Sequence, residues 1–142
     1  MEVLSADDAG EVLTIQRAAY VGEAMLYDQF LPPLFETLDE IRAVLEDPAV
    51  LVLGIRDSGR LIGTARVKAD GEIARIAVAP DRQHEGLGTR LLETAIARGG
   101  TWLFTGDRSE ANLRLYRRHG FLETHREPVP GHTLVYLKRP AG

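Results

Sequence analysis

Two glycines one residue apart, Gly86 and Gly88, stand where a helix is predicted to begin. Alanine would make a better helix start, so glycine at both positions calls for another reason. The first N–H groups of a helix have no partner, and the helix dipole places about half a positive charge at that end. Without a Cβ at either position, a bulky anion can come close enough to accept from several N–H groups together. The pattern predicts a site for a phosphate or pyrophosphate.

Two alternatives to an anion site stay open for these glycines. They can simply relieve strain in a tight turn between a strand and a helix. The loop can also belong to a dinucleotide-binding fold, but Gly86-Leu87-Gly88 lacks the third glycine of that fingerprint. A meander of strands also precedes it where that fold has a single βαβ unit. A G-x-G pattern alone is weak evidence.

The residues around the glycines resemble the acyl-CoA-binding motif of the GNAT N-acetyltransferase superfamily. That pattern is a hydrophobic strand ending in V-x-P, followed by Q/R-x-x-G-x-G/A at a helix start. In "IAVAPDRQHEGLGTRLLETA", Val78, Pro80 and Gln83 stand at the expected offsets from the glycines. A second family signature, N-x-x-x-Y-x-x-x-G-F, follows at the right distance in "NLRLYRRHGF". The resemblance covers nearly the whole chain.

The resemblance implies that acetyl-CoA is the cosubstrate, with its pyrophosphate held by the backbone N–H groups of residues 83 to 89. These residues are Gln83, His84, Glu85, Gly86, Leu87, Gly88 and Thr89. It also implies that the fourth and fifth strands splay apart, so that the edge near Ile76, Ala77 and Val78 pairs with the pantetheine arm as an added strand would. Asn112 would bond the same arm, or it reaches back toward a helix cap at Ser109.

An amine acceptor raises the question of a general base. An alkyl amine with a pKa near 10 is almost all ammonium at neutral pH and has no lone pair to attack a thioester. Glu72 lies 11 residues before Gln83, the offset of the catalytic glutamate in histone-acetylating members of the superfamily. It can equally be a strand-end charge beside a turn. Weaker candidates lie in the predicted acceptor loop: Glu23, Asp28 and Glu36.

The thioester oxygen and the leaving thiolate also need partners. A backbone N–H around Val78 could stabilise the charge that develops on the oxygen. By resemblance, Tyr116 would donate a proton or a hydrogen bond to the thiolate, although a plain core tyrosine on an amphipathic helix is the other interpretation. The chain has no cysteine. We therefore expect acetyl to pass directly between bound partners in a ternary complex.

The chain departs from the family pattern in one place. Many relatives have a basic residue between the Gln/Arg and the first glycine, whereas this chain has His84 and Glu85. A carboxylate beside a pyrophosphate costs affinity unless it points into water, and Arg82 and Arg90 can compensate. An arginine cluster on a later helix either touches the cofactor's outer phosphate or is a solvated helix face: Arg114, Arg117 and Arg118. The four scattered histidines predict no metal site.

Secondary-structure patterns predict the elements that position these groups. A first helix begins after Ser5 or Asp7, and residues 21–36 are predicted as a loop with short helical pieces. A capping box at Thr37 opens the next helix. Three predicted strands follow, at 50–56, 61–68 and 72–79. After them the sequence predicts a helix from Leu87, a strand at 101–105, a helix capped by Ser109, and strands at 121–126 and 133–138. The fold class is α/β (α+β-like): one domain over residues 1–142, with a mixed, mostly antiparallel sheet and helices on both faces.

Composition limits the function classes. The 142 residues carry a net charge of -4, which argues against a nucleic-acid-binding surface, and no apolar run approaches a membrane span. The absence of cysteine fits a reducing cytoplasm. Residues 1–50 hold 11 acidic and 2 basic side chains, and the rest hold 10 acidic and 15 basic. The basic part carries the predicted anion site, and the acidic part would favour a cationic amine.

The predicted function is therefore an acetyl-CoA-dependent N-acetyltransferase acting on a primary amine of a small molecule or protein. The alternative is an acyl-CoA-binding sensor or interaction module with little turnover. Nothing in residues 20–36 identifies the acceptor. A homodimer is an expectation by family analogy only.

Overall fold

A computed structural model describes residues 1–141 of the chain as two antiparallel sheets flanked by helices. The first sheet has the order β1-β2-β3-β4 and the second the order β5-β7-β6. The strands are β1 (Glu2–Val3), β2 (Val50–Asp57), β3 (Arg60–Lys68), β4 (Ile73–Val78), β5 (Trp102–Gly106), β6 (Leu122–Val129) and β7 (His132–Lys138). The antiparallel meander predicted from residues 50 to 79 is confirmed.

Within residues 1–141, five α-helices connect the strands. They are α1 (Ala9–Tyr27), α2 (Pro32–Phe35), α3 (Leu38–Glu46), α4 (Leu87–Ala97) and α5 (Glu110–Arg118). The capping box at Thr37 is present: its hydroxyl accepts from the Glu40 N–H, and the Glu40 carboxylate accepts from the Thr37 N–H. None of the helices in residues 1–141 is long and apolar enough to span a lipid bilayer.

Helices cover both faces of the first sheet, as the sequence predicts. Buried side chains of α1 and α3 pack against β2 and β3 on one face. On the other face, α4 and α5 pack on a cluster that reaches from Leu53 of β2 to Val135 of β7. Because this cluster includes residues of both sheets, the two sheets share one hydrophobic core.

The joint between the sheets is short. Within residues 1–141, one isolated parallel bridge, between Glu72 and Trp102, links the start of β4 to the start of β5. Beyond this bridge, β4 is an edge strand of its sheet and keeps unpaired backbone groups on that side. The predicted mixed arrangement is therefore two antiparallel sheets with a single parallel contact.

A bulge interrupts β4 just after the joint. Thr64 and Arg66 of β3 are two residues apart but pair with Ala77 and Ala74, which are three apart. The extra residue of β4 lies in the segment Arg75-Ile76, and Arg75 has a positive φ of 54°. A non-glycine residue in this conformation is uncommon and is held there by its surroundings.

One expectation about the amino-terminal region is wrong, and one element of it was not predicted. Residues 21–27 are not a loop, because α1 continues to Tyr27 and ends at Asp28 in the left-handed conformation. The segment consists mostly of good helix formers, and Gly22 costs only about 1 kcal/mol. The edge strand β1 was not predicted, since two residues give no periodicity to detect.

Candidate active site

The loop before α4 presents a row of unpartnered amides. Within residues 1–141, no N–H from Gln83 to Thr89 donates a hydrogen bond to a protein acceptor. The N-cap of α4 is Gly86, which has a φ of 79° and no side chain to cap the helix. His84 also has a positive φ, of 67°, so the loop coils tightly. Consecutive free donors at a helix start form an anion-binding concavity.

The glycines leave that concavity open. A Cβ added at Gly86 or Gly88 would meet no protein atom within 4 Å. Only Gly86 needs glycine for its backbone conformation, because only its φ is positive. Backbone conformation therefore accounts for glycine at position 86. Neither conformation nor packing accounts for glycine at position 88, which favours the close approach of a ligand as the reason for Gly88.

Arg82 neutralises the carboxylate that departs from the family pattern. Its guanidinium donates two hydrogen bonds to Glu85, at 2.8 and 2.9 Å, and a third to Asp57 at 2.8 Å. The hydrogen bond from Arg82 holds the pKa of Glu85 below its usual value. The expected compensation by Arg82 is present as this ion pair, while the described contacts of Arg90 include no such pair with Glu85.

Tyr116 is buried in the core, with a hydroxyl that keeps some solvent exposure. Its residue is 7% exposed and its ring packs near Phe121, with ring centroids 6.2 Å apart. The Tyr116 hydroxyl has no hydrogen-bond partner in residues 1–141. Only one polar side-chain atom of these residues, His132 Nδ1, is both without a partner and sealed from solvent, so the Tyr116 hydroxyl is not sealed. Burial raises the pKa of the Tyr116 phenol well above its usual value, so the group stays protonated near neutrality.

Tyr20 of α1 lies within electrostatic reach of Tyr116. Burial raises the pKa of Tyr20 to about 12, while the positive charge of Arg75 lowers it and the negative charge of Glu23 raises it. Like burial, Tyr20 and the negative charge of Glu23 raise the pKa of Tyr116. These effects place Tyr20 within electrostatic reach of Arg75 and Glu23, and Tyr116 within reach of Tyr20 and Glu23. The space around these side chains is called the cleft.

Glu23 is held by a short hydrogen-bond chain. The Ser109 hydroxyl donates to Glu23 at 2.7 Å and also contacts the Tyr27 hydroxyl at 2.7 Å. Ser109 is the N-cap residue of α5, as predicted, but its side chain makes no cap hydrogen bond. Instead, Ser109 orients the carboxylate of the adjoining helix α1.

Glu36 is the centre of an ionic cluster on the α1 side of the sheet. It accepts from Arg66 at 2.9 and 3.2 Å, from Arg75 at 2.9 Å and from Gln16 at 2.8 Å. Burial would raise the pKa of Glu36, but the hydrogen bonds from Arg66 and Arg75 outweigh it and hold that pKa at about 2. Glu36 is therefore a permanent anion and a poor proton acceptor.

Glu72 lies at the joint, away from this cluster. Its side chain is 11% exposed and pairs with Lys68 at 3.2 Å, and its charge acts on Tyr136 of the second sheet. Ile76 lies four positions further along the chain, at most about 13 Å away along an extended strand. The charge of Glu23, and not that of Glu72, raises the pKa of both Tyr20 and Tyr116.

The remaining predicted residues lie on α5 and at the end of α1. Asn112 is one turn before Tyr116 on α5, and its amide donates to the Thr105 hydroxyl of β5 at 3.5 Å. Asp28 is exposed at the end of α1. Arg114, Arg117 and Arg118 are exposed on α5, which fits the solvated-face interpretation. Residues 1–141 contain no cluster of three potential metal ligands.

Sequence reasoning missed Tyr20, Arg66 and Arg75. A signal was available for the arginines, because each interrupts an otherwise apolar strand, "LIGTARVK" and "EIARIAVA". A charge inside a buried strand needs a partner or a function. No comparable signal marked Tyr20, whose role follows only from the extension of α1 beyond residue 20.

Three features agree with an acyltransferase of the CoA-dependent class: free amides at a glycine-rich helix start, the edge strand β4, and a buried tyrosine whose pKa is raised. A family model described as the acetyltransferase (GNAT) family matches residues 11–121, and the chain belongs to that family. It is an N-acetyltransferase with acetyl-CoA as cosubstrate.

Solved structures share the fold at low sequence identity. The ribosomal-protein-S18-alanine N-acetyltransferase from Escherichia coli is 21% identical, with a TM-score of 0.76 over 99% of this chain and 94% of that one. The PaiA N-acetyltransferase from Thermoplasma acidophilum, in complex with coenzyme A, is 16% identical, with a TM-score of 0.73 over 97% and 99%. No curated protein matches the sequence significantly.

Proposed function

We propose that the chain moves the acetyl group of acetyl-CoA directly to a primary amine of a small molecule or protein, in a ternary complex. The single observation that carries the proposal is the run of unpartnered amides from Gln83 to Thr89. Their number and direction suit a diphosphate, whose oxygens accept several hydrogen bonds at once. The helix dipole of α4 adds to the attraction.

The edge of β4 suits the cofactor's arm. The segment 76–78 follows the bulge and has no strand partner on the side facing β5 within the described residues. A pantetheine arm can bond to this edge through its amides, as an added strand would. The single bridge at Glu72 and Trp102 supports the predicted splay of β4 and β5 beyond it.

The proton movements can be assigned to side chains of the cleft. Glu23, directly or through water, takes the proton of the acceptor ammonium, because it is the carboxylate nearest the tyrosines that is not neutralised by arginine. Glu72 is the second candidate, by its offset from Gln83. Tyr116 donates to the leaving thiolate, since its raised pKa keeps the proton available.

Two measurements on one preparation test the proposal. Calorimetry with coenzyme A reports the anion site, and thiol release from acetyl-CoA across a panel of amines reports turnover. We expect binding, release with at least one amine, and intersecting double-reciprocal lines. Tight binding with no release for any amine would favour the alternative of a sensor module, and absence of binding would refute both.

A further inference from the structure

The ionic cluster around Glu36 carries an excess of positive charge. Two guanidinium groups, of Arg66 and Arg75, face one carboxylate, whose side chain is 15% exposed. Arg66 is almost completely buried, at 7% side-chain exposure, whereas Arg75 is 23% exposed. Burying a charge without a counter-charge is costly, so the second arginine needs a further anionic partner or contact with water.

The spare charge is located at the end of Arg75. Arg66 uses both terminal nitrogens, on Glu36 and Gln16. Arg75 bonds to Glu36 through Nε only, at 2.9 Å. Its two terminal nitrogens have no partner in residues 1–141, and neither is sealed from solvent. The fork of Arg75 therefore points into open space.

Two observations put that space on the α1 side of the sheet, next to the strand edge proposed for the cofactor arm. Arg75 lies in the bulge of β4, directly before the edge that we assign to the pantetheine arm. Its charge acts on Tyr20, and Tyr20 acts in turn on Tyr116. The hydrogen bond to Glu36 holds the fork on the α1 face of the sheet, where Tyr20 of α1 lies within electrostatic reach of it.

The fork is also fixed in place. The Nε bond to Glu36 restricts the side chain, and the bulge fixes a backbone that a non-glycine residue adopts rarely. A guanidinium with two free parallel N–H groups matches a carboxylate in bidentate fashion. Preorganisation lowers the entropy cost of that contact.

We propose that Arg75 is a specificity-determining residue that binds a carboxylate of the acceptor, so that the acceptor is an amino acid or a similarly small amino-carboxylate. This inference rests on the proposed N-acetyltransferase function and names the substrate class of the same cleft. The acidic first part of the chain favours the ammonium group, and Arg75 adds the second recognition point.

The test compares each amino acid with its own carboxamide. Thiol release at saturating acetyl-CoA gives kcat/KM for both members of each pair, in the wild type, in Arg75→Gln and in Arg75→Lys. We expect the ratio of acid to carboxamide to fall about 10- to 100-fold in Arg75→Gln, because a charge-assisted bond is lost. Arg75→Lys keeps the charge without the fork and should be intermediate, and the KM for acetyl-CoA should not change.

Arg17→Gln is the matched control. Arg17 is exposed and donates to the main-chain carbonyl of Glu36 without lining the proposed fork. It should leave the ratio unchanged. If Arg75→Gln does not fold, the comparison is made on Arg75→Lys alone, with circular dichroism as the folding check.

The outcomes separate this inference from the function on which it rests. An equal loss for acids and carboxamides in the Arg75 variants would overturn the inference and leave a structural role. Turnover of polyamines or other amines without a carboxylate, and none of amino acids, would also overturn it while the N-acetyltransferase function stands. Coenzyme A binding with no thiol release for any amine would refute the proposed function itself.

Discussion

At the scale of the residue, Tyr116 combines a buried ring with an accessible hydroxyl. Because no hydrogen bond holds that hydroxyl within the described residues, Tyr116→Phe should fold normally, with kcat reduced about 10- to 100-fold if the phenol is the acid. Thiol release under saturating conditions measures it. Tyr136→Phe is the control, since its hydroxyl donates to Glu127 on the exposed side of the second sheet. An unchanged kcat in Tyr116→Phe would reduce the residue to packing.

Substitutions of single residues also decide whether Glu23 or Glu72 is the general base. Glu23→Gln should lower kcat/KM about 100-fold at pH 7, with the rate rising as the pH approaches the acceptor's pKa, because only amine that is already deprotonated then reacts. Glu72→Gln should lower it less than about tenfold. The pH profile of both variants is the measurement. The reverse order would assign the base to Glu72 and leave Glu23 as a partner of Ser109.

At the scale of the element, the amino terminus of α4 is separable from the rest of the fold. Gly88 is its second residue, and a Cβ there meets nothing within 4 Å. Gly88→Ala should therefore keep or slightly raise the free energy of unfolding, since alanine favours helix. The Kd for coenzyme A should rise about tenfold or more, equivalent to about 1.4 kcal/mol.

α1 offers a matched control for that substitution. Gly10 is the second residue of α1, and its added Cβ also meets nothing within 4 Å. Gly10→Ala should give the same gain in helix stability with no change in coenzyme A affinity. Calorimetry and urea unfolding on both variants check this. Equal affinities in Gly88→Ala and the wild type would mean that the ligand does not approach this face of the loop.

At the scale of the whole molecule, Glu36 ties four parts of the chain together. It links α1 through Gln16, β3 through Arg66, β4 through Arg75 and its own segment between α2 and α3. Glu36→Gln leaves both arginines without a counter-charge and should cost about 3–5 kcal/mol of unfolding free energy at pH 7. Glu46→Gln, at an exposed position at the end of α3, should cost little.

The pH dependence of that difference has a definite sign. The folded-state pKa of Glu36, about 2, lies below its ordinary value of 4.5. Its contribution is complete above pH 4.5 and is lost as the pH falls from 4.5 toward 2. The difference in unfolding free energy between the wild type and Glu36→Gln, measured by urea unfolding, should thus narrow as the pH falls from about 5 to about 3. A gap that stays constant over this range would contradict the ionic explanation.

Most of the fold could be predicted from the sequence, because helix caps, turn glycines and the alternation of apolar and polar residues in strands are local signals. The capping box at Thr37 and the meander over residues 50–78 illustrate this. The end of α1 was not readable, since Tyr27 is fixed by Ser109, which is 82 residues away in the chain. Pro128 lies within β6, which tolerates it as an edge strand of the second sheet.

The site was readable only where it depends on backbone. The proposed anion loop follows from the glycine spacing, so the sequence alone singles out Gly86 and Gly88. The cleft depends on partners far apart in sequence, such as Glu36 with Arg66 and Arg75, and no local pattern predicts which charges meet. The bulge of β4, which places Arg75, follows from the register with β3 and not from the strand's own residues.

The bridge between Glu72 and Trp102 also gives the protein an intrinsic optical probe. Trp102 is the chain's sole tryptophan, and its indole stacks near Tyr136 with ring centroids 6.2 Å apart. All indole emission from the protein therefore originates at the bridge that joins the two sheets. A ligand that binds along β4, as we propose, would change the surroundings of this one fluorophore, so cofactor and acceptor could be titrated without labels and in either order of addition.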